Sequence, residues 1–529
     1  MLGLQSLLFF VRVGRVGLGW LVEDGWVAKG FKPVDRDQVF LVPPDMRDWL
    51  PDEHLVWFVI DVVDELDITE FERVYRLGGA GREAFDPRMM IALLAYAYCG
   101  GVRSSRAIER ACHTDVAFRV VCAQQPPDHT VIARFRARHA EALAGLFGQV
   151  LVVCAKAGLG RVGVVAIDGT KIAANASVDR NRTAEWCRQR AAAMVAEAAA
   201  VDAVEDAAEA ARAAAGKAPD DRPVPGWRDR SGRKQKIQAA LGELEVFEAE
   251  ADQAVEVVEQ QAREAEQAWQ QAKQERAVKA EAAKTRSGRR RGRPIDLDRE
   301  TQALATARRK AEKKARKAAR ARVRREAERG TRRANVTDPQ SRVMKTRQGW
   351  VQGYNNQTAV SEDGLILATR TSNDPADMNQ FVSMMEAAVQ AAAAMGAVAG
   401  EPGRRIGTVL ADAGYFSEDN LTAVGPDRLI AAGKKNNLAG DSAQGQARSS
   451  QDARRQACHE MLEKLRTPES VELYRRRGAI VEPVNAHLKD RRGLRRFSRR
   501  GLAAVAAEFR LAAWVTNLMK LHTIHLATG

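Results

Sequence analysis

The sequence has few cysteines, and their spacing is typical of neither a disulfide-bonded protein nor a metal site. Six cysteines are scattered from Cys99 to Cys458 among 529 residues, without a CxxC pair. This arrangement excludes a disulfide framework and a zinc finger. Long apolar runs are also lacking, because no run reaches the roughly 18 residues that a membrane helix needs. We therefore expect a cytoplasmic protein without membrane contacts.

The N-terminal segment lacks the charge order of a secretory signal. The apolar stretch from Leu2 to Val11 is followed, not preceded, by positive charges at Arg12 and Arg15. A signal peptide has the reverse order. We interpret residues 1–30 as a peripheral tail.

The positive charge of the chain is concentrated in one segment. Lys and Arg number 83 against 68 Asp and Glu, which gives a formal net charge of +15. From Lys273 to Arg333 the net charge is +16, so the other 468 residues carry −1. Nine acidic residues lie just upstream, between Glu243 and Glu266. The basic segment therefore either contacts DNA phosphates or pairs with this acidic block.

Composition marks residues 183–335 as a helical, coiled-coil-like insertion, because Ala, Glu, Gln, Arg and Lys dominate there. Apolar residues recur at heptad spacing in two interleaved series, the second of which is interrupted by Glu248. They are Ile237, Leu244, Ala251, Val258 and Ala265, and Leu241, Val255, Ala262 and Trp269. Breaks at Gly216–Gly232 and Ser287–Pro294 divide the insertion into a first helix at about 184–215 and two more. The pattern predicts a hairpin whose acidic and basic arms face each other. A solvated charged helix without a partner is the alternative.

Residues 31–160 read as an all-α domain of short helices joined by tight turns, a pattern that suits a helix-turn-helix DNA-binding domain. Asp128 is placed to cap one of these helices. The polar face of this helix carries His129, Arg134, Arg136 and Arg138. We expect this face to contact DNA, although surface arginines also serve simply to solvate a helix.

Beyond this domain the pattern changes to strands. Val162–Ile167 is a β-branched run that leads to Asp168, and Ile406–Ala411 is an apolar run that leads to Asp412. Between them lie a hairpin turn at 362–364 and a helical stretch at 378–395, and one more short strand follows at 428–432. The order predicts an α/β fold with a mixed sheet flanked by helices. Its parts are residues 161–182 before the insertion and 336–529 after it.

A third carboxylate, Glu482, lies on a helix after these strands, with Lys489 seven residues further on the same face. Three carboxylates brought together suit phosphodiester cleavage and transfer, in which two Mg²⁺ ions activate one oxygen and stabilise another. Without cations such a cluster repels itself. We predict that Asp168, Asp412 and Glu482 form this cluster.

Several motifs resemble those of the DDE transposases of bacterial insertion sequences. Asp168 lies in AIDGTKIAANAS, Asp412 in LADAGYFS, and YRRRGAIVEPVNAHLK resembles the Tyr-Arg-Glu-Lys signature of that family. The segments that begin FDPRMM and PPDHTV resemble the family's DNA-binding domain, and the segment that begins TDPQSR resembles its central strands. The likeness covers nearly all of residues 31–525 except the insertion.

The resemblance implies an RNase H-like catalytic core in which the three acids hold two Mg²⁺ ions, with Mn²⁺ as a substitute. It assigns Tyr474, Arg477 and Lys489 to phosphate binding and strand positioning. It also implies double-stranded DNA partners, namely element ends and target, a homodimer on DNA, and association with the nucleoid. The chain departs from the pattern in having four residues between Arg477 and Glu482 and Asn485-Ala486 where relatives have Phe-Gly.

The arginines after the third acid recur every four residues, led by Arg491, Arg495 and Arg499. If this segment is helical, they form one stripe suited to DNA phosphates.

The motifs, together with the family resemblance, predict a cut-and-paste transposase. A DNA-binding or scaffolding protein with an inactive core and an RNase H-like nuclease without strand transfer are the alternatives.

Overall fold

The computed structural model describes residues 45–75, 84–194, 196–197, 200, 207, 227–286, 299–328, 331–346, 349–401, 403–433 and 450–528. The predicted tail at 1–30, the turn at 287–294, most of the turn at 216–232 and the second half of the first insertion helix lie outside these residues. Of the first unit, which ends at Trp49, the structure describes residues 45–49 with a 3-10 helix at Met46–Trp49. All other elements belong to the unit Leu50–Gly529.

The described residues before the sheet are mainly helical, as predicted. Its helices are α1 Leu55–Asp64, α2 Thr69–Glu72, α3 Pro87–Cys99, α4 Ser105–Thr114, α5 Val116–Val121, α6 His129–Arg138 and α7 Ala140–Lys156. Asp128 caps α6 because its carboxylate accepts hydrogen bonds from the backbone N–H groups of Thr130 and Val131. The predicted start of this helix is confirmed.

The core of the described chain is a mixed sheet of six strands. They are β1 Val164–Ala173, β4 Arg342–Thr346, β5 Gly349–Ser361, β6 Ile366–Ser372, β7 Thr408–Ala411 and β8 Asp427–Ile430. The order is β4-β5-β1-β7-β8, with β6 also paired to β5. The neighbours β1, β7 and β8 run parallel, whereas β5 runs antiparallel to its partners. A short pair, β2 Asn181–Thr183 and β3 Arg333–Asn335, stands apart.

The first strand of the sheet is longer than predicted. We expected Asp168 at the end of a strand, but β1 continues to Ala173 and keeps pairing with β5 as far as Gly353. Gly353 is required there, because a Cβ at this position would lie 2.4 Å from the carbonyl oxygen of Ile172. Pairing with the distant β5 therefore extends the strand beyond the apolar run that predicted it.

Helices cover the sheet. Besides the short α11 Glu418–Thr422 they are α10 Phe381–Val398, α12 Ser450–Lys464, α13 Pro468–Asp490 and α14 Leu502–Thr528. Both α10 and α14 pack on β6 and α7. Residues 378–398 and 502–527 are long and apolar enough to span a membrane by length and composition alone. An apolar circumference also suits a helix that packs inside a protein. The predicted absence of membrane contacts stays a prediction.

The insertion forms the predicted helical hairpin, built from α8 Trp227–Arg286 and α9 Arg299–Ala327. The heptad positions of α8 are its less exposed ones, from Ile237 to Trp269. At the base, Ile237, Ala240 and Leu244 pack with Cys187 and Ala334 in a small hydrophobic cluster. The mixed α/β class, with a helical region first and a long helical insertion, is thus confirmed.

Candidate active site

Two aspartates meet where neighbouring parallel strands β1 and β7 leave their common ladder. The pairing of β1 with β7 ends with Ile167 opposite Ala411. Asp168 directly follows Ile167, and Asp412 directly follows Ala411. The side chain of Asp168 is 18% exposed and that of Asp412 is 44% exposed. The sheet therefore brings two predicted site residues together although 243 residues lie between them in the sequence.

Arg477 on α13 joins these carboxylates. Its Nη2 lies 2.9 Å from Oδ1 of Asp168 and 3.7 Å from Oδ2 of Asp412. The helix that carries it begins with a Thr467 cap and Pro468. It packs against the sheet through a buried apolar face that includes Ile480 and Val484. A single guanidinium between two acids shows that this position accommodates positive charge.

Two further side chains of α13 hold the site in place. The Asn485 amide donates to Oδ2 of Asp168 over 3.0 Å and accepts from the Thr358 hydroxyl over 3.3 Å. The Tyr474 hydroxyl donates to the carbonyl oxygen of Ala411 over 3.3 Å, next to Asp412. Sequence reasoning did not identify Asn485 as a site residue. Its position eight residues after Arg477, hence near the same helical face, was the available signal.

The pKa of the Asp168 carboxyl is raised above its ordinary value, and burial is the main cause. Burial raises the pKa of its carboxyl, the Arg477 guanidinium lowers it, and the nearby Asp412 raises it again. Burial also raises the pKa of the Tyr474 phenol, with Arg477 opposing it. Two carboxylates and an aromatic hydroxyl thus share one strongly charged, partly dehydrated pocket around a single arginine.

Glu482 is placed differently from the two aspartates. Its side chain is exposed on α13 and lies beside Gly478, one turn earlier on the same helix. Within the described residues, no group of three or more His, Cys, Asp or Glu side chains is arranged to hold a metal ion. Glu482 therefore stays a predicted third ligand. Asp168 and Asp412 supply two hard carboxylates on either side of the Arg477 guanidinium. Such a donor set fits Mg²⁺.

A buried polar network, also missed by sequence reasoning, lies behind Asp412. Asp377 accepts hydrogen bonds from the side-chain amides of Asn355 and Gln357 and pairs with Lys171 at 3.7 Å. The Tyr415 hydroxyl donates to Gln357. Because Tyr415 directly follows the Asp412 turn, the network fixes the backbone that carries this carboxylate. Only the fold brings these residues together, so the sequence offered no signal for the set.

The predicted DNA-contacting face of α6 is divided by the structure. The Arg134 side chain is exposed, and among the described residues its hydrogen bonds stay within its own helix, to Thr130. His129 is partly exposed, with Nδ1 2.8 Å from a Glu109 carboxylate oxygen. Arg136 is a correction: its guanidinium is buried and donates to the Arg103 carbonyl and the Ser105 hydroxyl. It holds α6 against the chain between α3 and α4 and does not face solvent.

The predicted arginine stripe after Asp490 is wrong, because the segment is not helical. Helix α13 ends at Asp490, and Gly493 has a φ of +65°, a left-handed conformation that breaks the helix. Arg491 is exposed and Arg495 pairs with Asp490 at 2.5 Å. The partly buried Arg499 lies against α14.

Lys489, the last predicted phosphate-binding residue of α13, is half-buried. Burial lowers the pKa of its ammonium group, the nearby Arg495 lowers it further, and Asp168 acts in the opposite direction. The charge of Lys489 therefore interacts with that of Asp168, and Lys489 lies at the same end of the helix as Asn485. The structure thus keeps Lys489 beside the predicted catalytic centre while it disperses the arginines that follow.

Comparison with protein families gives two matches. Residues 44–138 match the family described as Transposase domain (DUF772), and residues 329–518 match the one described as Transposase DDE domain. Together they cover just over half of the chain. The second match contains Asp412 and all of α13, whereas Asp168 precedes it. No curated protein and no solved structure matches the sequence.

Proposed function

The chain belongs to the DDE transposases of insertion sequences, and on this premise we propose that it binds the terminal inverted repeats of its own element and cuts and joins DNA strands at the Asp168–Asp412 site. The observation that carries the proposal is the meeting of these carboxylates at adjacent strands, with Arg477 between them. A DNA transposase of the DDE type needs such a carboxylate pair.

We assign the divalent cations of the reaction to Asp168 and Asp412, with Glu482 as the third ligand. When bound, the cations generate a nucleophile near neutral pH and stabilise the leaving oxygen. The exposed Glu482 is free to turn toward the pair, since it makes no hydrogen bond to another described residue. Asn485 orients Asp168, and the Tyr415 network holds the turn of Asp412.

The remaining charges of the site fit a DNA strand. Arg477 and Lys489 present cationic groups beside the aspartates, and we assign them to the phosphates next to the scissile bond. Tyr474 supports the end of β7 from the same helix. His129 and Arg134 on α6 are our candidates for contacts with the element ends, and a homodimer on DNA would hold two ends at once.

The alternative function is a DNA-binding or scaffolding protein with an inactive core. The exposed position of Glu482 and the pairing of Arg477 with both aspartates favour it, because a permanent ion pair would occupy the cation position. A nuclease without strand transfer is distinguished from the transposase by its products, since only the transposase joins a new 3′ end to target DNA.

The test is incubation of the purified protein with its own element ends and Mg²⁺, followed by analysis of cleaved and joined strands. We expect cleavage and joining with the wild type, and loss of both by at least about 10³-fold in Asp168→Asn and Asp412→Asn, because each removes a charged ligand. Asp419→Asn, on the exposed start of α11, is the matched control and should keep full activity. Bound but uncut DNA would favour the scaffolding alternative.

A further inference from the structure

The outer face of α9 carries basic side chains that the hairpin itself does not use. The less exposed positions of α9 recur at helical spacing, at Leu304, Arg308, Ala311, Ala315 and Ala318, and define the side packed on α8. Arg308 belongs to that side, because it bonds to Glu266 at 3.1 Å and lies over the Trp269 ring at 4.1 Å from its centroid. On the α9 side, the contact between the two arms therefore consists mainly of alanine side chains, together with Arg308.

Six other basic residues point away from this contact. They are exposed and have no ion pair with another described residue: Arg309, Lys310, Lys313, Lys314, Lys317 and Arg320. At about 100° per residue, all six fall within an arc of about 140° on the side opposite the packed one. We call this set the α9 basic face.

The acidic block of α8 does not neutralise this face. The described residues show two ion pairs between the arms, Glu266 with Arg308 and Asp252 with Arg322 at 3.9 Å. Within α9, Arg316 pairs with Glu312. The predicted facing of acidic and basic arms is thus limited to these contacts, and the basic face keeps its charge for a partner outside the hairpin.

We propose that the α9 basic face binds the phosphate backbone of double-stranded DNA without reading its sequence. From Arg309 to Arg320 the face extends about 16 Å at 1.5 Å per residue, a length over which each DNA strand presents a phosphate about every 3.4 Å. Flexible lysines and arginines without an apolar or aromatic centre suit phosphates better than a protein interface. The same face of a second copy would repel it.

The experiment measures binding of the full-length protein to a random-sequence duplex of about 40 base pairs as a function of salt. The variant replaces Arg309, Lys310, Lys313, Lys314 and Lys317 by Gln. Each lost phosphate contact should flatten the plot of log K against log salt by about 0.9, so two or more contacts give at least about 1.8. A charge-keeping variant, Arg309→Lys with Arg320→Lys, should retain the wild-type slope.

Two outcomes would overturn the proposal. One is an unchanged slope in the Gln variant, and the other is a slope change that the charge-keeping variant shows equally. Sedimentation of both variants measures whether the substitutions change the oligomeric state. A changed oligomeric state with an unchanged salt slope would mean that the face serves self-association and not DNA binding. Cleavage of element ends by the wild type is assayed separately, so a failure of the proposed transposase activity is distinguishable from a failure of this face to bind DNA.

Discussion

Asn485 connects the candidate site on α13 to the central sheet. It links Asp168 to Thr358 on β5, so the carboxylate is held from the helix side. Loss of such an outer hydrogen bond commonly costs 10- to 100-fold in metal affinity or activity. We expect Asn485→Ala to lower strand cleavage by about that factor.

The measurement for Asn485→Ala is the cleavage rate over a series of Mg²⁺ concentrations, in which the variant should require more Mg²⁺ for half-maximal rate. Ala486→Ser, on the exposed side of the same turn, is the control. Equal rates in wild type and Asn485→Ala at every Mg²⁺ concentration would show that Asp168 does not depend on this amide.

Glu508 joins the N-terminal helical region to the C-terminal part of the core. Its side chain is fully buried, pairs with Arg103, and accepts hydrogen bonds from the backbone N–H groups of Ser498 and Arg499. Removing one member of a buried pair strands the other charge and costs about 3–5 kcal/mol. We therefore expect Glu508→Ala to lower the free energy of unfolding in urea by that amount.

The matched control for Glu508 is Glu70→Ala, which breaks an ion pair with Arg73 in which both side chains are 67% exposed. Exposed pairs contribute about 1 kcal/mol or less, because water screens them. Similar losses in the two variants would contradict the structural role of Glu508.

Helix α6 supplies a pair of arginines whose positions differ by two residues and whose roles we expect to differ. Arg134→Ala should weaken binding to element ends and change the free energy of unfolding by less than about 0.5 kcal/mol, because the side chain is exposed. Arg136→Ala should destabilise the protein by about 2 kcal/mol, since it removes charged hydrogen bonds to Arg103 and Ser105. Urea unfolding and DNA titration of both variants check this. DNA binding lost in Arg136→Ala at full stability would contradict it.

The elements that the sequence predicted correctly are those with a clear local signal. The Asp128 cap, the hairpin of β5 and β6, and the heptads of α8 all depend on neighbours within a few residues. The failures involve long-range partners. Arg492, which follows the first arginine of the predicted stripe, is buried and donates hydrogen bonds to the carbonyl oxygens of Tyr98 and Cys99. The four-residue spacing of the arginines could not indicate these partners.

The site is assembled from three distant parts of the chain, so its composition was predictable only in part. Two strand acids and the helix arginine were identified from motifs, and the parallel register of β1 and β7 explains why the acids meet. Asn485 and the Asp377 network escaped notice because an amide or a buried carboxylate has no motif of its own. Packing, not spacing, selects them.

The insertion should be removable, because its two ends meet. Thr183 on β2 pairs with Arg333 on β3, so replacing residues 184–332 by a short Gly-containing turn would convert the pair into a β-hairpin. Ala334 and Val336 would lose their contacts with the hydrophobic cluster at the base, and Arg342 would lose its ion pair with Glu243 at 2.9 Å. We expect these losses together to cost about 1–2 kcal/mol.

We expect the shortened chain to unfold cooperatively, at most a few degrees below the full chain, because 1 kcal/mol shifts the midpoint by about 2–4 °C in a domain of about 150–250 residues and by less in a larger one. Circular dichroism follows both the loss of helix and the thermal transition. A full-length variant with Ile237→Ala and Leu244→Ala is the control, because it weakens the same cluster without removing the arm. The shortened chain could instead aggregate or show no cooperative thermal transition while the control unfolds normally. That result would mean that the arm is an integral part of the catalytic domain.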